Sequence, residues 1–327
     1  MRALSLSLAA VLVVSTVANS AFADPAESEI EAPGPKGPLK GLMLTPGKPD
    51  APVVLIIAGS GPIDRNGNSL HGLNADTYKL LAEGLAARDV ASVRIDKRGL
   101  YSSAAAIANA DAATIGDYAS DVHTWIATIR KQTGAKCVWM LGHDEGALVA
   151  MVAAKDNPPD ICGLLLVAAP GRRFSELIKD QMRSNPSNAP FQDEAFHDID
   201  ELAAGRRVDV AKARSEIQSI FAPAVQGFLV DLFSYDPALL LAQYKGPVLI
   251  LQGERDIQVG QEDAKRLAAA DPGAKLVLLP DVNHILKTVD TDDRMANLGT
   301  YLNAALPLAP GVVETLADFV AAARKSP

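Results

Sequence analysis

Residues 137–154 have the sequence CVWMLGHDEGALVAMVAA, and this stretch determines the fold class. A run of apolar residues ends in Gly-His-Asp-Glu-Gly and passes at once into a small-residue segment of helical character. A strand, a turn with a glycine on each side of a polar residue, and a helix form a nucleophile elbow. The glycines permit a tight turn that exposes the central side chain. Asp144 occupies the central position, where a serine is usual.

Short apolar runs of strand length alternate with helical patterns on both sides of this elbow. The runs lie at residues 53–58, 91–96, 137–141, 162–168, 248–252 and 274–279. Most are apolar on both faces, as buried parallel strands are. The alternation predicts an α/β fold, a mostly parallel sheet with helices on both faces. It stops at residues 174–244, where helical patterns occur without a clear strand, and we expect a helical cap over the carboxyl ends of the strands.

The N-terminal residues 1–23 resemble a secretory signal peptide. Arg2 precedes an apolar run at residues 4–18, which is too short to span a bilayer, and small residues precede Asp24. We predict cleavage before Asp24 and an exported product, periplasmic or secreted, with no membrane span after cleavage.

The remaining chain divides into three parts by composition. Residues 24–38 are rich in proline, glycine and acidic residues, and this composition predicts a mobile leader. The α/β core then comprises residues 39–173 and 245–327, with the cap at 174–244.

Composition and charge exclude several classes of protein. With 48% hydrophobic and 21% charged residues, the 327-residue chain is typical of a globular protein. Acidic residues outnumber basic ones by 39 to 31, and basic residues occur at most in pairs, so a nucleic-acid partner is not expected. Scattered histidines indicate no metal site, and no cofactor is implied. We expect Cys137 and Cys162 to be unreactive core thiols, with one disulfide as the alternative.

The order of polar residues at strand ends indicates a catalytic triad. Asp256 follows the strand at 248–252, and His284 lies 28 positions beyond it, after the last strand. Nucleophile, acid and histidine in this order are typical of α/β-hydrolases. After the strand at 53–58, a backbone N–H of Ser60 or Gly61 could join that of Glu145 as an oxyanion hole.

Five motifs together resemble a known family. They are AGSGPIDRNGN at 58–68, DKRG at 96–99, the elbow at 142–146, GERDIQV at 253–259 and NHILK at 283–287. The chain, over roughly residues 40–325, is similar to bacterial esterases of the α/β-hydrolase superfamily whose first loop has the sequence GSGPTDRDGN. The resemblance implies a hydrolase of small organic substrates, with the acid and the histidine at Asp256 and His284.

Asp144 departs from that family, in which the nucleophile is serine. The elbow is similar to the G-H-D-x-G elbow of haloalkane dehalogenases, fluoroacetate dehalogenases and epoxide hydrolases. A carboxylate is ionised at neutral pH and needs no base to attack an sp³ carbon, so an Asp144 ester would form, and His284 would activate water to hydrolyse it. The alternatives are an unconventional esterase and a catalytically silent homologue that acts as a binding or sensory protein.

Four further residues are candidate substrate contacts. Asp64 and Arg65 could hold a charged substrate, although an ion pair that stiffens the loop is the simpler interpretation. Tyr235 and Tyr244 are the tyrosines of the predicted cap, where an epoxide-opening enzyme would place its acids. His143 is expected to pack beside the site and not to react.

Overall fold

A computed structural model describes residues 24–323, so the predicted signal peptide lies outside the described residues. The described part contains ten strands: β1 (Ala26–Ala32), β2 (Leu39–Thr45), β3 (Val53–Ile57), β4 (Asn68–Ser69), β5 (Leu73–Asn74), β6 (Ala91–Ile95), β7 (Val138–His143), β8 (Ile161–Val167), β9 (Val248–Gly253) and β10 (Lys275–Leu279). Its α-helices are α1 (Thr77–Ala86), α2 (Ile115–Thr133), α3 (Glu145–Ala153), α4 (Phe174–Arg183), α5 (Gln192–Ala203), α6 (Ser215–Ile220), α7 (Gln226–Ser234), α8 (Pro237–Leu241), α9 (Gln261–Ala270), α10 (Arg294–Gly299) and α11 (Val312–Ala323). Short 3-10 helices span Tyr101–Ala106, Ala110–Ala112, Pro186–Phe191 and Thr300–Leu302.

Eight strands form one sheet in the order β1-β2-β6-β3-β7-β8-β9-β10. The pairs β1–β2 and β2–β6 are antiparallel, and all other neighbours in this sheet are parallel. The elbow strand β7 lies between β3 and β8, so its carboxyl end is close to the first loop. The predicted α/β-hydrolase fold class, a mostly parallel sheet flanked by helices, is confirmed.

Two apolar cores cover the two faces of this sheet. On one face, α1 and α11 pack through leucines and valines against the side chains of β3 and β9 that point toward them. On the other face, α2, α3 and α9 bury the alternate side chains of the same strands, with Trp125 of α2 fully enclosed. Because both faces are covered, the central strands are apolar on both sides. None of the described helices combines the length and apolar character needed to cross a membrane.

The prediction of a mobile leader at residues 24–38 was wrong. All seven residues of β1 pair with β2 at the edge of the sheet, and Ile30 and Ala32 are buried in the core. Residues 26–32 alternate glutamates with smaller or apolar residues, which is the period of a half-buried strand. The prediction followed the acidic, proline-rich composition and not this alternation. The strand β2 was also not predicted.

The insertion between β8 and β9 contains five α-helices, α4 to α8. The helices α4, α5 and α7 contact one another, and α7 also contacts α2. The last of them, α8, contacts α3 and α9. The insertion therefore rests on the helices that flank the elbow, on the side of the sheet that carries α2 and α3.

Cys137 and Cys162 form a disulfide, so the preferred prediction of two free thiols was wrong. Cys137 immediately precedes β7, and Cys162 lies in the neighbouring strand β8. Val138 pairs with Ile161 but the next residue, Trp139, pairs with Gly163, so Cys162 is the extra residue of a bulge. The sequence places both cysteines in strands, but it does not give the local register that brings the two sulfur atoms together.

Candidate active site

The elbow is built as the glycine spacing predicts. Asp144 has φ 52° and ψ −121°, a conformation that is strained for a residue with a side chain, between the end of β7 and the start of α3. A Cβ atom at Gly142 would lie 2.4 Å from the Cα atom of Ala147, and one at Gly146 would lie 2.2 Å from the carbonyl oxygen of Ile57. Both glycines are therefore required for the close approach of strand, turn and helix.

His284 and Asp256 form a hydrogen-bonded pair. Nδ1 of His284 lies 2.8 Å from Oδ2 of Asp256. The other oxygen, Oδ1, accepts hydrogen bonds from the backbone N–H groups of Gln258, at 2.8 Å, and Val259, at 2.9 Å. Gln252 also donates from Nε2 to Oδ2, so the carboxylate is held by its own loop and faces the ring. The structure thus brings these two predicted triad residues together.

The pKa of His284 lies above its ordinary value. Burial disfavours a charge on this ring, but the charge and hydrogen bond of Asp256, assisted by the charge of Asp144, outweigh burial. The Asp256 carboxylate accepts a hydrogen bond from Nδ1–H, which leaves Nε2 as the nitrogen available to take a proton from water.

The Asp144 carboxylate occupies the predicted oxyanion position. Its Oδ2 atom accepts a hydrogen bond of 3.0 Å from the backbone N–H of Ser60, and Asp144 is only 9% exposed. The N–H of Glu145 is at the first position of α3, directly after Asp144 in the chain. Gly61, the other predicted donor residue, has φ 80° and lines a different cavity, so Ser60 is the donor that the structure supports.

His143 is fixed by a chain of hydrogen bonds beside the triad. The N–H of Gly59 donates to the hydroxyl of Tyr78 over 2.9 Å, and this hydroxyl lies 3.0 Å from Nδ1 of His143. Nε2 of His143 lies 2.8 Å from the carbonyl oxygen of His284, which can only accept, so Nε2 carries the hydrogen. Burial and the neighbouring His284 lower the pKa of His143 to about 4. A neutral His143 therefore positions the His284 backbone and the first loop.

Glu145 is turned away from the catalytic cavity. It is 1% exposed, and its carboxylate lies 3.2 Å from Nζ of Lys97. The same ammonium group donates to the carbonyl oxygen of Gly59 over 2.7 Å. Lys97 thus neutralises the acid that follows Asp144 and ties the first loop to the start of α3. Lys97 lies in the DKRG motif, but no pattern in the sequence indicates this role.

The four candidate substrate contacts do not line the catalytic cavity. Asp64 accepts hydrogen bonds from the backbone N–H groups of Asn66 and Asn68, and Arg65 forms a two-pronged ion pair with the buried carboxylate of Asp96. Both residues therefore hold the first loop in shape. We expected an ion pair within the loop. Arg65 instead forms its ion pair with Asp96, which follows β6.

The prediction that cap tyrosines face the substrate is also not supported. Tyr244 is 6% exposed and packs against Gly246 at the end of the insertion. The hydroxyl of Tyr235 lies near Gly116 at the start of α2, with Asp231 as its neighbour. Neither ring lines the catalytic cavity, because the insertion rests on α2 and α3.

The catalytic cavity has a volume of about 230 Å³ and contains Asp144 and His284 in its wall. This volume is below the roughly 300–1,000 Å³ of sites for drug-sized ligands. Apolar walls are provided by Ile63, Leu73 and Ile285. Two phenols, Tyr78 and Tyr301, and the amide of Gln258 also line it, and sequence reasoning missed all three. Among residues 24–323, no cluster of three or more side chains has the arrangement of a metal site.

Comparison with known proteins identifies a family match and a curated relative. A family model described as serine aminopeptidase, S33, matches residues 69–184, which include the elbow but not Asp256 or His284. Esterase EstD of Thermotoga maritima is 24% identical over 254 residues, which cover 75% of this chain. The chain spans 57% of the length of that esterase.

Solved structures share the fold at low identity. The esterase Pf2001 of Pyrococcus furiosus matches with a TM-score of 0.57 and 15% identity over 92% of this chain and 91% of its own. Est1E of Butyrivibrio proteoclasticus matches with a TM-score of 0.55 and 17% identity over 90% and 99%. The strand order, the elbow and these structural similarities show the α/β-hydrolase fold, and the family match and the esterase relative support an esterase-like hydrolase.

Proposed function

We propose that this protein is a hydrolase of small organic electrophiles that works through an ester intermediate on Asp144, with His284 and Asp256 completing the triad. The observation that carries the proposal is the hydrogen bond from the Ser60 N–H to Oδ2 of Asp144, in the same cavity as the His284–Asp256 pair. It orients the carboxylate as a nucleophile.

The first step uses the free oxygen of that carboxylate. Oδ2 is held by Ser60, whereas Oδ1 has no hydrogen bond to any residue that the structure describes. Oδ1 attacks an sp³ carbon in line with its leaving group, and the product is an alkyl ester of Asp144. No base is needed, because a carboxylate is already charged at neutral pH.

The second step, hydrolysis of the ester, also uses the hydrogen bond between the Ser60 N–H and Oδ2 of Asp144. In the alkyl ester, Oδ2 becomes the carbonyl oxygen, and it already lies at the Ser60 N–H. His284 takes a proton from water, and the resulting hydroxide attacks Cγ of Asp144. Negative charge then develops on Oδ2, where the Ser60 N–H stabilises it. The intermediate expels the alkoxide, which takes the proton from His284, and the Asp144 carboxylic acid that remains loses its proton to solvent.

Cleavage of carboxylic esters by acyl transfer fits this geometry poorly. An acyl substrate needs its carbonyl oxygen at the oxyanion position, which the Asp144 carboxylate fills. Attack by a carboxylate on an acyl carbon would also form a mixed anhydride, which is a high-energy intermediate. The esterase names of the relatives therefore support a hydrolase framework, while Asp144 favours alkyl transfer.

Trapping of the intermediate tests the proposal. In His284→Gln the second step is blocked, and incubation with 1-bromobutane should leave a butyl group on the peptide that contains Asp144, detected by mass spectrometry. The isosteric variant Asp144→Asn, combined with His284→Gln, should show no adduct at that position. Absence of an adduct in His284→Gln with both 1-bromobutane and 1,2-epoxybutane contradicts the proposed nucleophile and favours the silent homologue.

We also propose that the protein is exported. The signal-like sequence of residues 1–23 supports export, and so does the disulfide between Cys137 and Cys162, because such bonds persist in oxidising compartments. Expression of the full chain in a bacterium, followed by fractionation, should place a shortened product that begins at Asp24 in the periplasm. A full-length product in the cytoplasm contradicts this proposal.

A further inference from the structure

Two phenol groups line the catalytic cavity, and only one of them is fully engaged. The hydroxyl of Tyr78 accepts from the Gly59 N–H and donates to Nδ1 of His143. The hydroxyl of Tyr301 accepts a hydrogen bond of 3.0 Å from Nε2 of Gln258, but within residues 24–323 its own hydrogen has no acceptor. Tyr301 therefore presents a free O–H donor to the cavity that contains Asp144.

Displacement at an sp³ carbon requires a proton donor when the leaving atom is a strongly basic oxygen. Indole N–H groups are absent from the cavity wall, because Trp125 and Trp139 are both buried in the core. The Ser60 N–H is engaged by Asp144, and the Lys97 ammonium is paired with Glu145. The hydroxyl of Ser60 is a much weaker acid than a phenol. His284 also lines the cavity, but its ring must be neutral to act as the base of the second step. Tyr301 is thus the strongest neutral acid on the cavity wall.

We propose that Tyr301 protonates an oxygen leaving group, and that the substrates are small epoxides with an apolar substituent. This inference rests on the proposed function, since it assumes an Asp144 nucleophile. An epoxide fits the site because its leaving atom is an oxygen that stays attached to the substrate and needs one proton. The small volume and the apolar walls of Ile63, Leu73 and Ile285 favour a short alkyl group.

The proton balance closes with one water molecule. Oδ1 of Asp144 bonds to a ring carbon, the C–O bond of the ring breaks, and the ring oxygen takes the proton of Tyr301, which becomes a phenolate. Water then loses a proton to His284, hydroxide adds to Cγ, and the departing alkoxide takes the proton back from His284. The products are a diol and a protonated Asp144, whose proton returns to Tyr301 through solvent.

The surroundings of Tyr301 suit this role. Burial and the charge of Asp256 raise the pKa of Tyr301, so the phenol keeps its proton at neutral pH. The opened ring gives an alkoxide, which is more basic than a phenolate, so the transfer is favourable. The Gln258 amide, whose backbone N–H also binds Asp256, donates to the phenol oxygen and would stabilise the phenolate.

The test compares two four-carbon electrophiles in the His284→Gln background, in which only the first step occurs. The rate of Asp144 alkylation is measured by mass spectrometry with 1,2-epoxybutane and with 1-bromobutane. Because bromide leaves without a proton, Tyr301→Phe should slow the epoxide reaction by about 100-fold or more and the bromide reaction by less than about threefold. Tyr244→Phe is the matched control, since that phenol is buried outside the cavity, and it should change neither rate.

Each other result has a defined meaning. An unchanged epoxide rate in Tyr301→Phe, or an equal fall with both probes, overturns the role of Tyr301 as the donor. Alkylation by 1-bromobutane without any reaction of 1,2-epoxybutane overturns the substrate class but leaves the proposed function intact. If neither probe alkylates Asp144, the proposed function itself fails, and the role of Tyr301 fails with it.

Discussion

The backbone N–H of Ser60 lies 3.0 Å from Oδ2 of Asp144, so the nucleophile position and the oxyanion position are joined by one hydrogen bond. In a serine hydrolase these positions belong to two different molecules, the enzyme and the substrate. Here one side chain fills both. This arrangement is the basis of our proposal that the carboxylate is oriented for alkyl transfer and not for acyl transfer.

Asp144→Ser should convert the site to an esterase site. The shorter side chain vacates the Ser60 N–H and leaves a hydroxyl on the elbow, in the cavity that contains His284. Hydrolysis of p-nitrophenyl butyrate should exceed that of Asp144→Ala by about 100-fold or more, because only the serine variant has a nucleophile that His284 can activate as a base. A wild-type protein that hydrolyses this ester and loses the activity in Asp144→Ala would show acyl chemistry on Asp144, contrary to our proposal.

Asp256→Asn should impair the second step more than the first. The asparagine keeps the size of the side chain but removes the charge that raises the pKa of His284. The base must be neutral, so activity is lost as the pH falls through that pKa. Without the Asp256 charge, this loss should occur at lower pH.

Single-turnover measurements separate the two steps of this variant. Alkylation of Asp144 should proceed at about the wild-type rate, while hydrolysis of the ester slows by roughly 100-fold or more. Mass spectrometry at several pH values follows both. A pH profile identical to that of the wild type would contradict the assignment of His284 as the base.

The sequence was sufficient to predict the three residues at the elbow and the strand ends, but not the side chains that surround them. Chain order and strand ends were enough to predict Asp144, Asp256 and His284, because parallel strands all deliver their carboxyl ends to one edge. The two glycines of the elbow predicted the tight turn, because a residue with a Cβ atom does not fit at Gly142 or Gly146. The fold class followed from the alternation of buried runs and helices.

The periodicity of apolar residues in the sequence does not predict contacts between distant segments. Tyr301 and Lys97 reach the site through loops and pairings whose geometry depends on the assembled sheet. The cap tyrosines were chosen because they lie in the insertion, but only packing decides which helices the insertion covers. The disulfide depended on a one-residue bulge, and β1 was missed because its acidic composition resembles that of a disordered segment.

Lys97→Met should destabilise the protein by about 3–5 kcal/mol, the cost of leaving a buried charge without its partner. Lys97 and Glu145 are 5% and 1% exposed, and Lys97 also anchors the Gly59 carbonyl. The double variant Lys97→Met, Glu145→Gln removes both charges and should recover a large part of the lost free energy of unfolding. Urea denaturation of the two single variants and the double variant measures the coupling, and strictly additive effects would show that the pair does not interact.

Acidification should destabilise the protein through His143. The pKa of this residue is lowered to about 4 in the folded state, whereas the ordinary value is 6.5, so the unfolded chain binds the proton first as the pH falls. The stabilising contribution is therefore complete above pH 6.5 and declines toward pH 4, by up to about 3 kcal/mol for a shift of this size. His143→Gln cannot titrate and retains a hydrogen-bonding side chain. The free energy of unfolding of this variant should fall less between pH 6.5 and 4 than that of the wild type, and equal slopes would mean that His143 is protonated in the folded protein.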